Sequence, residues 1–181
     1  MKRCFIFAAG TFYGLREAPR AGDVTIAADA GLHNCRSAGI EPELVIGDFD
    51  SMAQPPRGGC VVVPVEKDDT DTMLAVREGL ARCCGEFYIY GGTGGVRLDH
   101  TLANLQTLAF LRRHGARGYL YDRDFVYTVL ENETLTLRRQ VEWGLVSLFA
   151  MSGTQQDVTL EGLQYPLAHA DVTGDFPIGV S

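Results

Sequence analysis

Two aspartates one residue apart, Asp48 and Asp50 in Asp48-Phe49-Asp50-Ser51, directly follow the apolar run Leu44-Val45-Ile46-Gly47. If that run is a strand, residues two apart share a side, so its carboxyl end presents two carboxylates together. Carboxylate oxygens are hard ligands suited to a divalent cation, and such cations commonly accompany phosphates. A second acidic group, Lys67-Asp68-Asp69-Thr70-Asp71, opens a helical pattern, and Asp29 follows the apolar stretch Thr25 to Ala28. A glycine-rich loop, Gly91-Gly92-Thr93-Gly94-Gly95, follows a further strand pattern. In an open α/β sheet ligands bind beyond the carboxyl ends of the strands, so these loops can share one edge. One Asp after a strand usually caps or turns the chain. Four in one topology favour a metal site, because their repulsion is offset by a bound cation.

The glycine loop is neither a Walker loop, which ends Gly-Lys-Ser/Thr, nor a GxGxxG dinucleotide fingerprint. Arg97, Asp99 and His100 behind it stand at a helix start, where free amides and the helix dipole favour an anion and a guanidinium suits phosphate oxygens. The bland alternative is a surface pair of Arg97 with Asp99 and His100 as a cap, worth little energetically. His33, His114 and His169 lack any spacing that implies a metal or catalytic pair, and Trp143 reads as packing. No GxSxG elbow and no Cys/His signature occurs.

The elements that must position these groups are short. Apolar runs at Cys4 to Ala8, Thr25 to Ala28, Leu44 to Ile46, Cys60 to Val63, Phe87 to Tyr90 and Tyr119 to Tyr121 alternate with helical patterns. That alternation marks a mostly parallel sheet with helices on both faces. The helices expected are Ala30 to Ala38, closed by Gly39; Thr72 to Arg82, capped by the Asp/Thr cluster; and His100 to His114, stopped by Gly115. The last should bury Leu102, Leu105, Leu108 and Ala109. Beyond residue 122 strand patterns take over at Phe125 to Leu130, Thr134 to Arg138, Leu145 to Ala150 and Val158 to Leu160, separated by turn residues. The expected organisation is an α/β domain over 1–121 and a small β domain over 122–181. So few antiparallel strands bury little core alone and should pack on the first domain or a second subunit, most economically as a homodimer.

Composition narrows the class. With 181 residues and 46% hydrophobic content, a packed core is affordable in one domain or in a larger and a smaller one. The net charge of −7 disfavours broad binding to nucleic acid. An anionic substrate must then be handled locally, by a metal and a few basic side chains. Five cysteines without CxxC spacing indicate buried thiols rather than a disulfide framework or zinc site. The start, Met1 to Ala9, is too short for a secretory leader, and no apolar run reaches the ~18 residues of a membrane span, so a cytoplasmic location is expected.

Taken together, Ala28-Asp29-Ala30-Gly31, Gly47-Asp48-Phe49-Asp50-Ser51, Lys67-Asp68-Asp69-Thr70-Asp71-Thr72 and Arg97-Leu98-Asp99-His100-Thr101-Leu102-Ala103-Asn104 resemble the bacterial branch of the thiamine pyrophosphokinase family. The resemblance implies transfer of a pyrophosphoryl group from ATP to the hydroxyl of thiamine, giving thiamine diphosphate and AMP. It also implies a Mg²⁺-dependent homodimer in which the α/β domain is nucleotide-binding and the β domain a β-sandwich, with thiamine held at the subunit interface. Carried over by position, Asp48, Asp50 and Asp71 would hold Mg²⁺, with Asp29 beside them at the reacting centre. Lys67, Asp68, Thr70, Gly91, Gly92, Arg97, Asp99 and His100 would line the ATP site. Asp29 or Asp71 could take the hydroxyl proton, or positioning without a strong base could suffice, and Mn²⁺ would suit the same oxygens. Two features depart from the family pattern. Val96 stands between Gly95 and Arg97, and the sequence stops at Gly179-Val180-Ser181, where the family has a GxSNE-like motif followed by an aromatic residue. Ser181 would be the serine of that motif and contact thiamine, the domain being cut short after it. The alternatives are a non-catalytic nucleotide-binding module of the same fold and a metal-dependent phosphohydrolase.

Overall fold

Residues 4 to 7 alternate Cys-Phe-Ile-Phe, and a strand of that pattern sends large apolar groups to both faces of a sheet. In the computed structural model, which describes residues 1–47, 69–138, 142 and 144–180, this strand is β1 (Arg3–Phe7) and lies mid-sheet. Around it lie β2 (Val24–Ala28), β3 (Leu44–Ile46), β4 (Glu86–Tyr90), β5 (Arg117–Tyr121) and the two-residue β6 (Val126–Tyr127), in the order β3-β2-β1-β4-β5-β6. Pairing is parallel from β3 through β5, and β6 joins β5 antiparallel.

Alternation along each strand builds two cores. Cys4, Ile6, Val24, Ile26, Leu44, Ile46, Phe87, Ile89 and Leu120 face one side. There they meet Ala75 and Val76 of α2 (Asp71–Ala81) and Leu108 and Leu111 of α3 (Leu98–Arg113). Phe5, Phe7, Ala27, Val45, Tyr88 and Tyr90 face the other, against Leu32 and Cys35 of α1 (Gly31–Ser37). That second face is aromatic: Phe5 stacks on Tyr88 at 4.7 Å and Tyr90 on Tyr121 at 4.8 Å between ring centroids. Of these rings Phe5 and Tyr90 are fully buried, and a large side chain so buried stabilises the fold by roughly 1.5–3 kcal/mol. Strands covered on both faces become near-continuous apolar runs, which is why they stand out in the sequence. Gly39 and Gly115 follow α1 and α3 with φ of +73° each, as helix-stopping glycines do.

Four expectations need correction. The helix α3 buries Asn104, Thr107, Leu108 and Leu111, while Leu102 is 55% exposed. The stretch Phe125 to Leu130 does not open a β domain; its Val126 and Tyr127 pair with β5, and Glu133 forms ion pairs with Arg112 and Arg117. These contacts place the division between Glu133 and Thr134, not after residue 121. Thr134 to Arg138 and Leu145 to Ala150 alternate in character but form no strand. Among its described residues the second unit has a two-stranded antiparallel sheet of β7 (Thr154–Leu160), which contains the expected Val158 to Leu160, and β8 (Leu167–Thr173). The expected strand Cys60 to Val63 and Trp143 lie outside the described residues.

The β7–β8 register shifts on either side of Val158, and Asp157 and His169 adopt φ of +59° and +51° there. Their side chains meet at 2.5 Å, both largely exposed. Among the described residues of this unit Val172 is the buried apolar one, whereas Leu137, Leu145, Phe149, Tyr165 and Phe176 are exposed. No helix among the described residues is long and apolar enough to cross a membrane.

Candidate active site

From β1 the chain passes to β2 and β3 on one side, then returns to β4 and β5 on the other. At such a reversal the neighbouring loops part beyond the strand ends and leave a crevice. Here the crevice lies past β1 and β4, and the strand pairing continues into its walls. Ala8 N donates to Tyr90 O at 2.8 Å, Gly10 N to Gly91 O at 2.7 Å and Thr11 N to Thr93 O at 3.1 Å. This approach needs glycine: a Cβ at Gly10 would lie 2.5 Å from Gly91 O and 2.7 Å from Thr93 O. Gly91, with φ of +66°, is equally enclosed, since a Cβ there would meet Ala8 O at 2.4 Å. The buried Asn104 of α3 donates its amide to Gly92 O at 2.7 Å. Thr93, 2% exposed, has a hydroxyl without a partner among the described residues.

The crevice holds a cavity of about 380 Å³. Backbone of Ala8 to Gly10 and of the glycine loop lines one part, and Asp29, Thr70, Asp71, Arg97, His100 and Asn104 line the rest. Asp29 leaves β2 with φ of +49°, a left-handed conformation that Asp tolerates better than most residues. Its amide donates to Ile46 O at 2.7 Å and its carbonyl accepts from Leu32 N at 3.1 Å, tying β2 to β3 and to α1. Gly47, the last described residue of the β3 loop, lies against it: a Cβ there would be 3.1 Å from Asp29 Cα. Asp71 is the first residue of α2, presented by Thr70, whose hydroxyl caps the helix by accepting from Met73 N at 3.2 Å.

At the mouth, Arg97 donates to both carboxylate oxygens of Asp99, with Nε at 2.9 and 3.2 Å. The Arg97 hydrogen bonds and charge hold the Asp99 carboxyl down at about 2, with further help from the His100 amide. Arg97 is correspondingly raised by Asp99. Both side chains are more than 60% exposed, so the pair is weak and can exchange for a phosphate oxygen at little cost.

The structure thus brings Asp29, Thr70, Asp71, Gly91, Gly92, Arg97 and His100 to one cavity. Asp99 stays outside its lining and engages Arg97 instead. Asp48, Asp50, Lys67, Asp68 and Ser181 lie outside the described residues. Among the described residues no group of three His, Cys, Asp or Glu is arranged to hold a metal; Asp29 and Asp71 are the described carboxylates of the cavity lining. Sequence reasoning missed Gly10 and Asn34, whose roles come from contacts between distant parts of the chain and leave no local signal.

Comparison with known proteins identifies the family. Residues 16–120, more than half of the chain, match the model of the thiamin pyrophosphokinase catalytic domain. The thiamine pyrophosphokinase of Bacillus subtilis is 29% identical over 155 residues, covering 82% of this chain and 72% of that protein. A crystal structure of thiamine pyrophosphokinase from Bacillus subtilis superimposes with a TM-score of 0.86 at 26% identity, covering 99% of this chain and 88% of that one. One of thiamin pyrophosphokinase from Geobacillus thermodenitrificans gives 0.82 at 28% identity, covering 94% and 83%. A switch-point crevice with a glycine-built wall and two carboxylates, in a chain so matched, belongs to the thiamin pyrophosphokinase family, transferases that form thiamine diphosphate.

Proposed function

We propose that the chain transfers a pyrophosphoryl group from ATP to the hydroxyl of thiamine, releasing AMP, as a Mg²⁺-dependent homodimer of the cytoplasm. The observation that carries this reading is the cavity itself, whose lining brings together the glycine loop, Arg97, His100, Asp29 and Asp71. Basic side chains in this lining suit phosphate oxygens, and carboxylates suit the cation that accompanies them. Asp71 fits Mg²⁺ by donor chemistry, as an oxygen ligand on the cavity lining beside Asp29, and Asp48 and Asp50 would complete the metal set. When bound, the ion neutralises charge on the phosphates and on the departing AMP.

The rest falls to the chain's own groups. Ala9 and the glycines Gly91, Gly92, Gly94 and Gly95, without side chains beyond a methyl, leave room for the phosphates to approach the backbone, and the first turn of the 16-residue α3 adds its positive end. Arg97, released from Asp99, holds a phosphate oxygen at the mouth. Lys67, Asp68 and Thr70 complete the nucleotide side. A new bond forms between the thiamine oxygen and the β phosphorus, while the bond from that phosphorus to the oxygen bridging it to the α phosphorus breaks. The hydroxyl proton passes to Asp29 or Asp71. Thiamine would be held at the subunit interface, with Ser181 as one of its contacts.

The test is to incubate the protein with ATP, Mg²⁺ and thiamine and to separate the products. The reading predicts AMP and thiamine diphosphate in equal amounts, dependent on thiamine. Inorganic phosphate released without thiamine would support a phosphohydrolase, and ATP bound but unchanged a non-catalytic binder.

A further inference from the structure

Asn34 of α1 belongs to none of the acidic or glycine motifs and lies across the sheet from α3. Its amide nitrogen donates to Ala8 O at 2.8 Å and to Gly10 O at 2.9 Å. Carbonyl oxygens only accept, so both amide hydrogens are used and the orientation of the amide is fixed. The amides of Ala8 and Gly10 are already bound to Tyr90 O and Gly91 O. Both residues therefore have donor and acceptor engaged, and the turn between them has one hydrogen-bonded arrangement. The same side chain touches the glycine loop, since a Cβ at Gly91 would lie 2.9 Å from Asn34 Nδ2. Asn104 holds Gly92 O from the opposite face at 2.7 Å. One amide from each face of the sheet thus fixes the two backbone walls of the cavity.

The direction of these bonds matters for an anion. Asn34 draws two carbonyl oxygens towards α1; without it they are free to turn to the cavity, where their lone pairs oppose phosphate oxygens. Resting on the nucleotide reading above, we infer that Asn34 is a positioning residue for the phosphates of ATP. It acts through Ala8 to Gly10 and Gly91 and sets nucleotide affinity without affecting the acceptor.

Two variants test this, Asn34→Ala and Asn34→Asp. The first removes both donors and keeps a good helix former. The second places a carboxylate against the two carbonyl oxygens. Measurements are calorimetric binding of Mg²⁺-ATP, KM for ATP and for thiamine, kcat, and thermal unfolding. The expected result is a rise in ATP Kd and KM of about tenfold in Asn34→Ala and more in Asn34→Asp, with thiamine KM within about twofold of the parent. Unchanged ATP affinity in variants of an ATP-binding parent, or equal rises in both KM values, overturns the inference alone. A parent that binds no ATP overturns the proposed function and this inference with it.

Discussion

Replacing Gly10 by alanine tests the crevice where the fold and the chemistry meet. The added Cβ would stand 2.5 Å from Gly91 O and 2.7 Å from Thr93 O. Both are backbone atoms, so no side-chain rotation relieves the clash, and the walls must separate by roughly 0.7–0.9 Å to restore ordinary contact near 3.4 Å. That separation breaks or stretches the Gly10 N to Gly91 O bond at 2.7 Å and the Thr11 N to Thr93 O bond at 3.1 Å. At about 1 kcal/mol net each, with some residual strain, the loss is about 2–3 kcal/mol. For a chain of this size that lowers the thermal midpoint by about 4–12 °C. The kinetic effect is larger, because displacing a positioning wall by about 1 Å can cost about 100-fold in rate. The assay pairs thermal unfolding by circular dichroism with kcat/KM for ATP. Gly22→Ala serves as the control, having φ of +93° and open space around its Cβ; it should lose a little stability and no kcat/KM. Gly10→Ala with parental kcat/KM and thermal midpoint would refute the close approach of the two loops.

Asp71→Asn and Asp29→Asn should each lower kcat/KM by about 100-fold or more. Asn tolerates the left-handed φ of +49° at position 29, so the second change isolates charge from conformation; far-UV dichroism should match the parent in both, and retained activity in both would remove the carboxylates from the mechanism. Arg97→Ala should raise the KM for ATP about five- to tenfold without moving the thermal midpoint, because its pair with Asp99 is exposed on both sides. At alkaline pH, burial pushes the Tyr88 phenol up to about 12 and also raises Tyr90 and Tyr121. Unfolded tyrosine ionises near 10, so the folded state retains protons that the unfolded chain loses. Their contribution is intact below about pH 10 and falls as pH rises towards about 12. Absorbance at 295 nm should therefore show a buried class of tyrosines titrating together with loss of far-UV dichroism; full titration near pH 10 with the fold intact would contradict the aromatic packing.

How far the sequence could be read follows from which contacts are local. Strands β1 to β5 were legible because a parallel sheet covered on both faces makes apolar runs, and α1 to α3 because Thr70, Gly39 and Gly115 mark helix ends by local chemistry. The buried face of α3 was not. Asn104 reaches Gly92 O, level with the strand end, so the turn carrying Leu98 and Leu102 runs past the sheet and both leucines are exposed. Val126 and Tyr127 were assigned to the second domain because a two-residue strand has no period that tells it which sheet it joins. In the candidate site, the acidic and glycine groups were legible by type and spacing, and Asp29, Asp71, Gly91, Gly92, Arg97 and His100 share a cavity. Asn34 and Gly10 were not, since their function depends on hydrogen bonds and close approaches that cross from one strand end to another.

The most direct measurement of the central claim follows the phosphorus atoms. ATP labelled at the γ position and ATP labelled at the α position are incubated separately with the protein, Mg²⁺ and thiamine. Transfer of an intact pyrophosphoryl group predicts the γ label in the terminal phosphate of thiamine diphosphate and the α label in AMP. Appearance of the γ label in inorganic phosphate or in thiamine monophosphate would contradict it.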